Sequence, residues 1–304
     1  MSSGRVPFRK VAIIGTGLMG GSLAGALKAL PDPPRIYGTT KNPLDRETAR
    51  IRGWVDSFCE TNLEAASEAE LVVLAVPPGQ VVDIWEELAG RLAPSTLLTD
   101  LSSVKGSLFD RYNDRFSRLL PGYTSSHPMA GSERTGIESS RADLFSGKTV
   151  FLTPFASGGC AVESLTFFWR SLGARDIPVV TARDHDGIVA HISHLPHVLS
   201  YSLFHLACEV QKKNLFPGFD WSSQKGGSFS DIVRIARSSP DLWADIFHQN
   251  RTAILEAIDA FSLEVGGLRK AIETMGPTEL AMLLNGWTAP LSGGAPRVSP
   301  ETRP

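Results

Sequence analysis

The sequence predicts an α/β protein with a doubly wound, mainly parallel sheet in its N-terminal part and an all-helical domain after it. Up to about position 180, short apolar runs that suit buried strands alternate with segments of helical periodicity. Such alternation is typical of a parallel sheet covered by helices on both faces. From Asp184 onward strand-like runs almost disappear, and apolar residues recur at helical spacing instead. We therefore predict a domain boundary near position 180.

The predicted strands are apolar runs bounded by glycine, proline or polar residues. In chain order they lie at 11–15, 35–39, 71–77, 96–100, 122–126, 149–154 and 177–180. Between them, residues 20–30 and Val81 to Leu92 have the spacing of helices that cover a sheet. Residues 1–180 are thus predicted to form one α/β domain.

Three long segments of the second domain, 184–213, 239–275 and 277–287, show helical spacing. The predicted domain covers residues 181–288. Its apolar helices are too few to bury all their apolar surface within one chain, which predicts a homodimer. The tail at 289–304 is rich in proline, glycine and serine, a composition that predicts disorder.

The composition is that of an ordinary globular enzyme. The 304 residues are 42% hydrophobic and carry a net charge of −2, which gives no electrostatic reason to expect nucleic acid or an anionic membrane as partner. The uncharged stretch 11–27 is interrupted by glycines, so we do not expect it to span a membrane. The N-terminus has no apolar signal segment, and Cys59, Cys160 and Cys208 are scattered. These features predict a cytoplasmic protein with reduced thiols.

The stretch G-T-G-L-M-G at 15–20 is a dinucleotide-binding fingerprint. It follows a predicted strand and opens a predicted helix, the context that the fingerprint requires. Gly15 allows the tight turn, Gly17 lets the backbone approach a pyrophosphate, and Gly20 allows close packing of helix on strand. We predict a Rossmann-type domain whose cofactor loop also includes Thr16, Leu18 and Met19.

The residues about 20 positions after these glycines indicate which dinucleotide binds. NAD-binding domains usually have an acidic residue there, bonded to the ribose 2′-hydroxyl. This chain has Thr39, Thr40 and Lys41, whose hydroxyls and ammonium suit a 2′-phosphate. NADP is therefore the expected cofactor and NAD the alternative, in which Lys41 is a solvated loop residue.

Four further stretches contain groups suited to chemistry. D-L-S-S-V-K (100–105) and S-H-P-M-A-G-S-E (126–133) each follow or end a predicted strand, at the sheet edge where doubly wound folds bind ligands. S-H-L-P-H (193–197) and F-S-D-I-V-R-I-A (229–236) belong to the helical domain.

With the fingerprint, A-V-P and R-I-A-x-S-x-P-x-x-W, these stretches resemble the prephenate/arogenate (cyclohexadienyl) dehydrogenase family of tyrosine biosynthesis. The resemblance runs in order to about residue 275. It implies oxidative decarboxylation of prephenate to 4-hydroxyphenylpyruvate: hydride leaves C4 for NAD(P), the C4 hydroxyl loses its proton to a base, and CO2 departs as the ring becomes aromatic.

The resemblance also implies roles for individual residues. His127 is the expected base, since imidazole titrates near neutral pH. Ser103 would bind the hydroxyl or hold His127, and Arg234 would clamp a substrate carboxylate. The remaining expected contacts are Glu133 and Trp243 at the pocket mouth and Val76 and Pro77 beside the cofactor.

Three histidines fall within seven residues, at 191, 194 and 197. On an α-helix they would span an arc of about 120°. No metal is predicted, because no cysteine or carboxylate completes a usual ligand set. Pro196 indicates a first helical turn or a kink. The resemblance implies that His197 bonds the substrate side chain and His194 lines the interdomain cleft, while His191 is a packing residue.

One departure leaves the small-molecule substrate open. Family members often carry a basic residue and threonines where this chain has Ser230, Ile232 and Val233. Prephenate is the leading candidate substrate, and the alternatives are arogenate and 4-amino-4-deoxyprephenate. Two other classes remain: a β-hydroxyacid dehydrogenase or imine reductase of the same architecture, and a non-catalytic NADP-sensing protein.

Overall fold

The structure is a computed structural model that describes residues 6–132, 134–155 and 159–292. The chain divides into two compact units, one ending at Ile254 and one beginning at Leu255. Every residue of the site described below belongs to the first unit.

The centre of the first unit is a five-stranded parallel sheet. Its strand order is β3-β2-β1-β4-β5, so the winding direction reverses between β1 and β4. In open α/β sheets this reversal opens a crevice at the carboxyl ends of the strands, where ligands bind. The strands are β1 (Lys10–Ile14), β2 (Arg35–Thr39), β3 (Ser57–Phe58), β4 (Leu71–Leu74) and β5 (Leu97–Asp100).

Both faces of this sheet are buried. Along β1, Val11 and Ile13 pack into one apolar cluster, while Ala12 and Ile14 pack into another on the opposite face. The predicted parallel sheet with two covered faces is therefore confirmed. The helices of this part are α1 (Leu18–Lys28), α2 (Pro43–Ile51), α3 (Asn62–Ala66), α4 (Pro78–Leu88), α5 (Gly106–Arg115) and α6 (Gly159–Ser171).

Two further strands, β6 (Thr124–Pro128) and β7 (Val150–Pro154), form an antiparallel pair. An isolated parallel bridge joins Tyr123 to Leu98, which places β6 beside β5. The prediction of a strand at 177–180 is wrong: this segment contributes only an isolated bridge between Val179 and Leu152. Pro178 has no amide hydrogen to donate to a ladder, which explains the interruption.

The chain from Ala182 onward is helical, as predicted. A π-helical turn, Ala190–His194, separates the first two α-helices. The final helix continues to Ser292, beyond the predicted start of the tail at Ala289, and positions 293–304 lie outside the described residues. The α-helices are α7 (Ala182–Val189), α8 (Leu195–Lys212), α9 (Trp221–Gln224), α10 (Gly227–Arg234), α11 (Pro240–Gln249), α12 (Arg251–Thr274) and α13 (Pro277–Ser292). Within the described ranges, none of the helices has the length and apolar character needed to cross a membrane.

Candidate active site

The fingerprint glycines occupy positions with different steric demands. Gly15 has a φ of +91°, and a Cβ there would lie 2.6 Å from the Ala75 carbonyl oxygen. At Gly20 a Cβ would lie 1.9 Å from the Gly15 carbonyl oxygen. At Gly17 a Cβ would meet no atom within 4 Å. The first and third glycines are therefore required by packing, and the second faces open space.

The start of α1 fits the phosphates of a dinucleotide. Gly17 is its N-cap, so no side chain satisfies the first amide groups, and the first turn has no acidic residue. These amides and the helix dipole favour an anion. The buried hydroxyl oxygens of Thr16 and Ser102 also make no hydrogen bond to any described residue. A nicotinamide dinucleotide would supply the polar groups that these atoms lack.

At the end of β2, where the ribose of such a cofactor would lie, some polar side chains already form hydrogen bonds within the protein. Thr39 Oγ1 donates to Asn62 Oδ1 at 2.8 Å, and the Asn62 amide donates to Glu87 at 2.8 Å. Thr40 Oγ1 accepts from the backbone N–H of Asn42 at 3.2 Å. Lys41 is exposed. The Thr39 hydroxyl hydrogen is therefore occupied, whereas the Lys41 ammonium faces solvent.

A cavity of about 620 Å³ opens beyond the carboxyl ends of β1, β4 and β5. It brings together residues that are far apart in the sequence and that come from the cofactor loop, both strand-end stretches and the helical part. The predicted site residues in its wall are Leu18, Met19, Val76, Pro77, Ser103, His127, His197, Arg234 and Trp243.

The cavity wall is strongly basic. Arg134, Arg141, Lys148 and Arg234 all line it, and the described part of the wall has no aspartate or glutamate. The first three of these cations were not predicted as site residues, although Arg134 and Arg141 closely follow the stretch at 126–133. A wall of this charge suits a ligand with several anionic groups.

Other predicted residues lie outside this wall. The fingerprint residues form the turn next to the wall, where Gly15 approaches Ala75 and Val76; they are Gly15, Thr16, Gly17 and Gly20. The predicted ribose-binding residues lie at the end of β2; they are Thr39, Thr40 and Lys41. Glu133 lies outside the described residues.

The three histidines of the S-H-L-P-H region have different environments. His191 is exposed, and its Nδ1 donates to the Gly187 carbonyl at 2.9 Å. His194 is fully buried, with Nδ1 3.2 Å from the Asn250 amide nitrogen, and is not in the cavity wall. His197 lines the cavity, and its ring stacks on Trp243 with centroids 3.5 Å apart.

The π-helical turn explains why the histidines do not share one face. A π turn contains more residues than an α turn, so it changes the direction of the side chains that follow. Regular α-helix resumes at Leu195, with Pro196 in the first turn as predicted. His194, expected in the cleft wall, consequently lies behind it.

His127 is buried at the end of β6 and is the first member of a chain of hydrogen bonds. Its Nδ1 lies 2.8 Å from His185 Nε2, and His185 Nδ1 lies 2.8 Å from Asp186 Oδ1. His185 is fully buried. Sequence reasoning missed His185 and Asp186, because an adjacent His-Asp pair on a helix has no distinctive spacing.

Asp186 is held by the start of α5. Its two carboxylate oxygens accept from the amides of Lys105 and Gly106, each at 2.8 Å. Its backbone carbonyl accepts from the Asn250 amide at 2.9 Å. The carboxylate thus lies at the positive end of a helix dipole, which attracts a negative charge.

A second buried network supports the segments that carry Ser103 and His127. Lys105 Nζ pairs with Asp100 at 3.0 Å and donates to the carbonyls of Ser102 at 2.7 Å and Ser126 at 2.9 Å. These carbonyls immediately precede Ser103 and His127 in the chain. Asp100 also accepts from Tyr123 and Ser125. Burial alone would raise the pKa of Asp100, but Lys105 and the hydrogen bonds from its neighbours lower it overall.

The histidines at the site are held neutral. Burial, followed by the nearby His185, Lys105 and His194, lowers the pKa of His127 well below its usual value. Burial also lowers the pKa of His194 to about 4 and the pKa of His197. A neutral imidazole can accept a proton, so His127 can act as a base near neutral pH.

Comparisons with known proteins show which family the chain resembles. The family model described as the nucleotide-binding domain of prephenate dehydrogenase matches residues 23–177, and the one described as the dimerization domain of prephenate dehydrogenase matches residues 181–285. The cyclohexadienyl dehydrogenase of Zymomonas mobilis is 35% identical over 87% of this chain and 89% of its own length. The prephenate dehydrogenase of Bacillus subtilis is 32% identical over 86% of this chain and 70% of its own length.

Solved structures with the same fold include members of this family. The prephenate dehydrogenase of Aquifex aeolicus, solved with hydroxyphenyl propionate and NAD+, superposes with a TM-score of 0.82 at 29% identity, covering 93% of this chain and 97% of that one. The arogenate dehydrogenase of Synechocystis superposes with a TM-score of 0.77 at 27% identity, covering 93% and 99%.

Proposed function

The chain belongs to the prephenate dehydrogenase family, and we propose that it converts prephenate to 4-hydroxyphenylpyruvate by oxidative decarboxylation. The observation that carries this proposal is the cavity wall. It combines a buried neutral imidazole, His127, with four cations and no described carboxylate. Prephenate carries two carboxylates and a hydroxyl that must lose a proton, so it matches this wall.

His127 takes the proton of the C4 hydroxyl, and Ser103, on the same wall, hydrogen-bonds that hydroxyl and orients it. The bound nicotinamide accepts the hydride from C4. Loss of CO2 needs no further acid or base, because it makes the ring aromatic. Burial of His127 keeps it neutral before the reaction, so it is ready to accept the proton.

Arg234 binds one substrate carboxylate, where a guanidinium makes two parallel hydrogen bonds. His197, held against Trp243, contacts the substrate side chain. Its Nδ1 donates to the Ser193 carbonyl at 3.0 Å, which leaves Nε2 for the substrate. Trp243 fixes the ring plane of His197, so Trp243 and His197 act on the same end of the substrate.

Arogenate is the second candidate. Its side chain carries an ammonium beside the carboxylate, so its side chain has no net charge, whereas that of prephenate is an anion. The additional cations Arg134 and Lys148 favour the more anionic substrate, whereas Arg141 already pairs with Asp143 at 3.3 Å. Prephenate is therefore the preferred substrate in this proposal.

For the cofactor, we propose a preference for NADP over NAD. The supporting observations are the lack of an acidic residue at 39–41 and the exposed ammonium of Lys41. Because Thr39 already donates to Asn62, Lys41 and Thr40 are the groups that would bind a 2′-phosphate.

We also propose that the protein is a homodimer. Each compact unit exposes large apolar side chains that would be buried in such an interface. They include Phe204 and Leu206 of α8 in the first unit, and Leu263 and Met282 in the second. Sedimentation at micromolar concentration should give a dimer, and a monomer would contradict this assignment.

Steady-state assays of the purified protein would test the function. Prephenate and arogenate are each combined with NAD and NADP, and reduced cofactor and the aromatic product are both measured. We expect the highest kcat/KM with prephenate and NADP. Failure to reduce either cofactor with any of these substrates would reject the proposal.

A further inference from the structure

We propose that His185 and Asp186 are positioning residues that hold His127 in the tautomer with its hydrogen on Nδ1, so that Nε2 is the basic atom offered to the cavity. The catalytic consequence rests on the proposed function, but the tautomer itself does not. The three side chains lie in series, with 2.8 Å between His127 and His185 and 2.8 Å between His185 and Asp186.

The direction of each hydrogen bond follows from the Asp186 end. A carboxylate oxygen only accepts, and the Asp186 oxygens already accept from the Lys105 and Gly106 amides. His185 Nδ1 must therefore donate to Asp186. A neutral imidazole has one donor and one acceptor, so His185 Nε2 accepts. His127 Nδ1 must then carry the hydrogen, and its Nε2 keeps a lone pair.

This arrangement also stabilises the charge that forms during the reaction. The hydroxyl O–H bond breaks, its proton forms a bond to His127 Nε2, and its electron pair forms the C4=O double bond as the C4–H bond breaks and hydride is transferred to a bound nicotinamide. His127 becomes an imidazolium whose Nδ1–H still donates to His185. The Asp186 carboxylate, reached through His185, stabilises that positive charge, as the aspartate of a Ser-His-Asp triad does.

Burial keeps both rings neutral beforehand. His127 faces His185, Lys105 and His194, and burial together with these neighbours lowers its pKa. His185 faces Asp186, Lys105 and Asp100. Burial lowers the pKa of His185 overall, although the hydrogen bond to Asp186 raises it in part.

Protonation of His185 would reverse the order of bonds. Its Nε2 would then donate to His127 Nδ1, and the hydrogen of neutral His127 would move to Nε2, where no proton can be accepted. The acidic limb of the activity profile therefore belongs to the coupled pair of histidines and not to His127 alone.

The first test is NMR of the full-length protein with 15N-labelled histidine. The His127 ring signals are identified by their loss in His127→Gln, and ring nitrogen shifts distinguish the two tautomers. We expect Nδ1–H at neutral pH, loss of this single form in His185→Leu, and no change in His191→Gln, an exposed histidine whose Nδ1 bonds the Gly187 carbonyl four residues earlier. A His127 with its hydrogen on Nε2 in the unmodified protein would overturn the proposal.

The second test is kinetic and uses two substitutions of His185. Leucine removes the acceptor for His127 Nδ1–H, whereas glutamine restores an acceptor through its side-chain oxygen. We expect kcat to fall about 100-fold or more in His185→Leu and about tenfold in His185→Gln, with KM for prephenate within about threefold in both. The acidic limb should move in both variants and stay in place in His191→Gln.

Circular dichroism and thermal unfolding are measured first, and if His185→Leu fails to fold, His185→Gln and the NMR result still decide. Equal losses of kcat in two folded variants, or an unchanged kcat and pH profile in both, would overturn the positioning role. The NMR test uses no substrate. A protein that shows the expected tautomer but turns over no prephenate would therefore reject the proposed function and leave this inference standing.

Discussion

Lys105 and Asp100 form an ion pair, with 3.0 Å between Nζ and Oδ1, in which neither side chain is exposed. The same ammonium donates to two backbone carbonyls, those of Ser102 and Ser126. It thereby connects the segment before Ser103 to the segment before His127. A buried pair of this kind is costly to break, because the remaining partner is left charged and unpaired.

Lys105→Met should therefore destabilise the protein by about 3–5 kcal/mol. The double variant Asp100→Asn/Lys105→Met should recover part of that loss, because it leaves no unpaired charge. Urea unfolding followed by circular dichroism measures both free energies of unfolding. A single variant as stable as the original protein would show that the pair is not a structural link.

Removing the base should affect turnover more than binding. In His127→Asn we expect kcat to fall by about 10²–10⁴-fold, while KM for prephenate changes little, because proton acceptance contributes mainly in the transition state. His191→Asn is the matched control, since His191 is exposed and outside the cavity wall. If His127→Asn kept most of kcat, the base would have to be sought elsewhere, with His197 next.

The pH profile of kcat should follow from the lowered pKa values of the coupled pair His127 and His185. Protonation of either ring prevents His127 from accepting a proton, so activity is lost as pH falls through the pKa values of the pair. Because burial holds both pKa values below the usual value of about 6.5, activity should persist to a more acidic pH than a solvated histidine would allow. An acidic limb centred above pH 7 would contradict the assignment.

Arg234 should behave differently from His127, because its bond to a carboxylate already exists before the reaction. Arg234→Ala should raise KM for prephenate by about 10–100-fold, the range for a lost hydrogen bond to a charged group, with a smaller change in kcat. Arg234→Lys should rescue only part of the loss, since lysine cannot make two parallel bonds. A fall in kcat with KM unchanged would place Arg234 outside the carboxylate site.

Lys41 tests the cofactor preference. Lys41→Ala should raise KM for NADP by about tenfold, corresponding to loss of one charged hydrogen bond, and leave KM for NAD nearly unchanged. Lys28→Ala is a suitable control, because Lys28 pairs with Asp56 at 2.6 Å and does not line the cavity. Equal changes for both cofactors would count against a 2′-phosphate contact.

Substitution of two fingerprint glycines should impair the protein in different ways, one through folding stability and the other through cofactor binding. In Gly20→Ala the new Cβ would collide with the Gly15 carbonyl, so the melting temperature should fall. In Gly17→Ala the methyl group meets no protein atom, so the fold should persist while KM for the cofactor rises at least about tenfold. Thermal unfolding and cofactor titration separate the two effects. A Gly17→Ala variant with unchanged cofactor affinity would mean that no ligand approaches there.

The sequence by itself determined the fold class, the positions of the principal strands along the chain and the family. Apolar runs and helical spacing are local properties, so they identify the buried strands at 11–15 and 71–77 and the change to helices after Thr181. The fingerprint and the motifs around His127 and Arg234 are also local, and the structure places Val76, Ser103, His127, His197 and Arg234 in one cavity.

Only the tertiary structure decided which groups support these residues. His127 and His185 are 58 positions apart in the sequence, and Lys105 and Asp186 are 81 positions apart. Neither contact can therefore be predicted from residue spacing along the chain. The π-helical turn at Ala190–His194 likewise depends on packing, and it separates His194 from the cavity that His197 lines. Periodicity reports which face of an element is apolar, whereas hydrogen bonds between elements depend on how those elements meet in three dimensions.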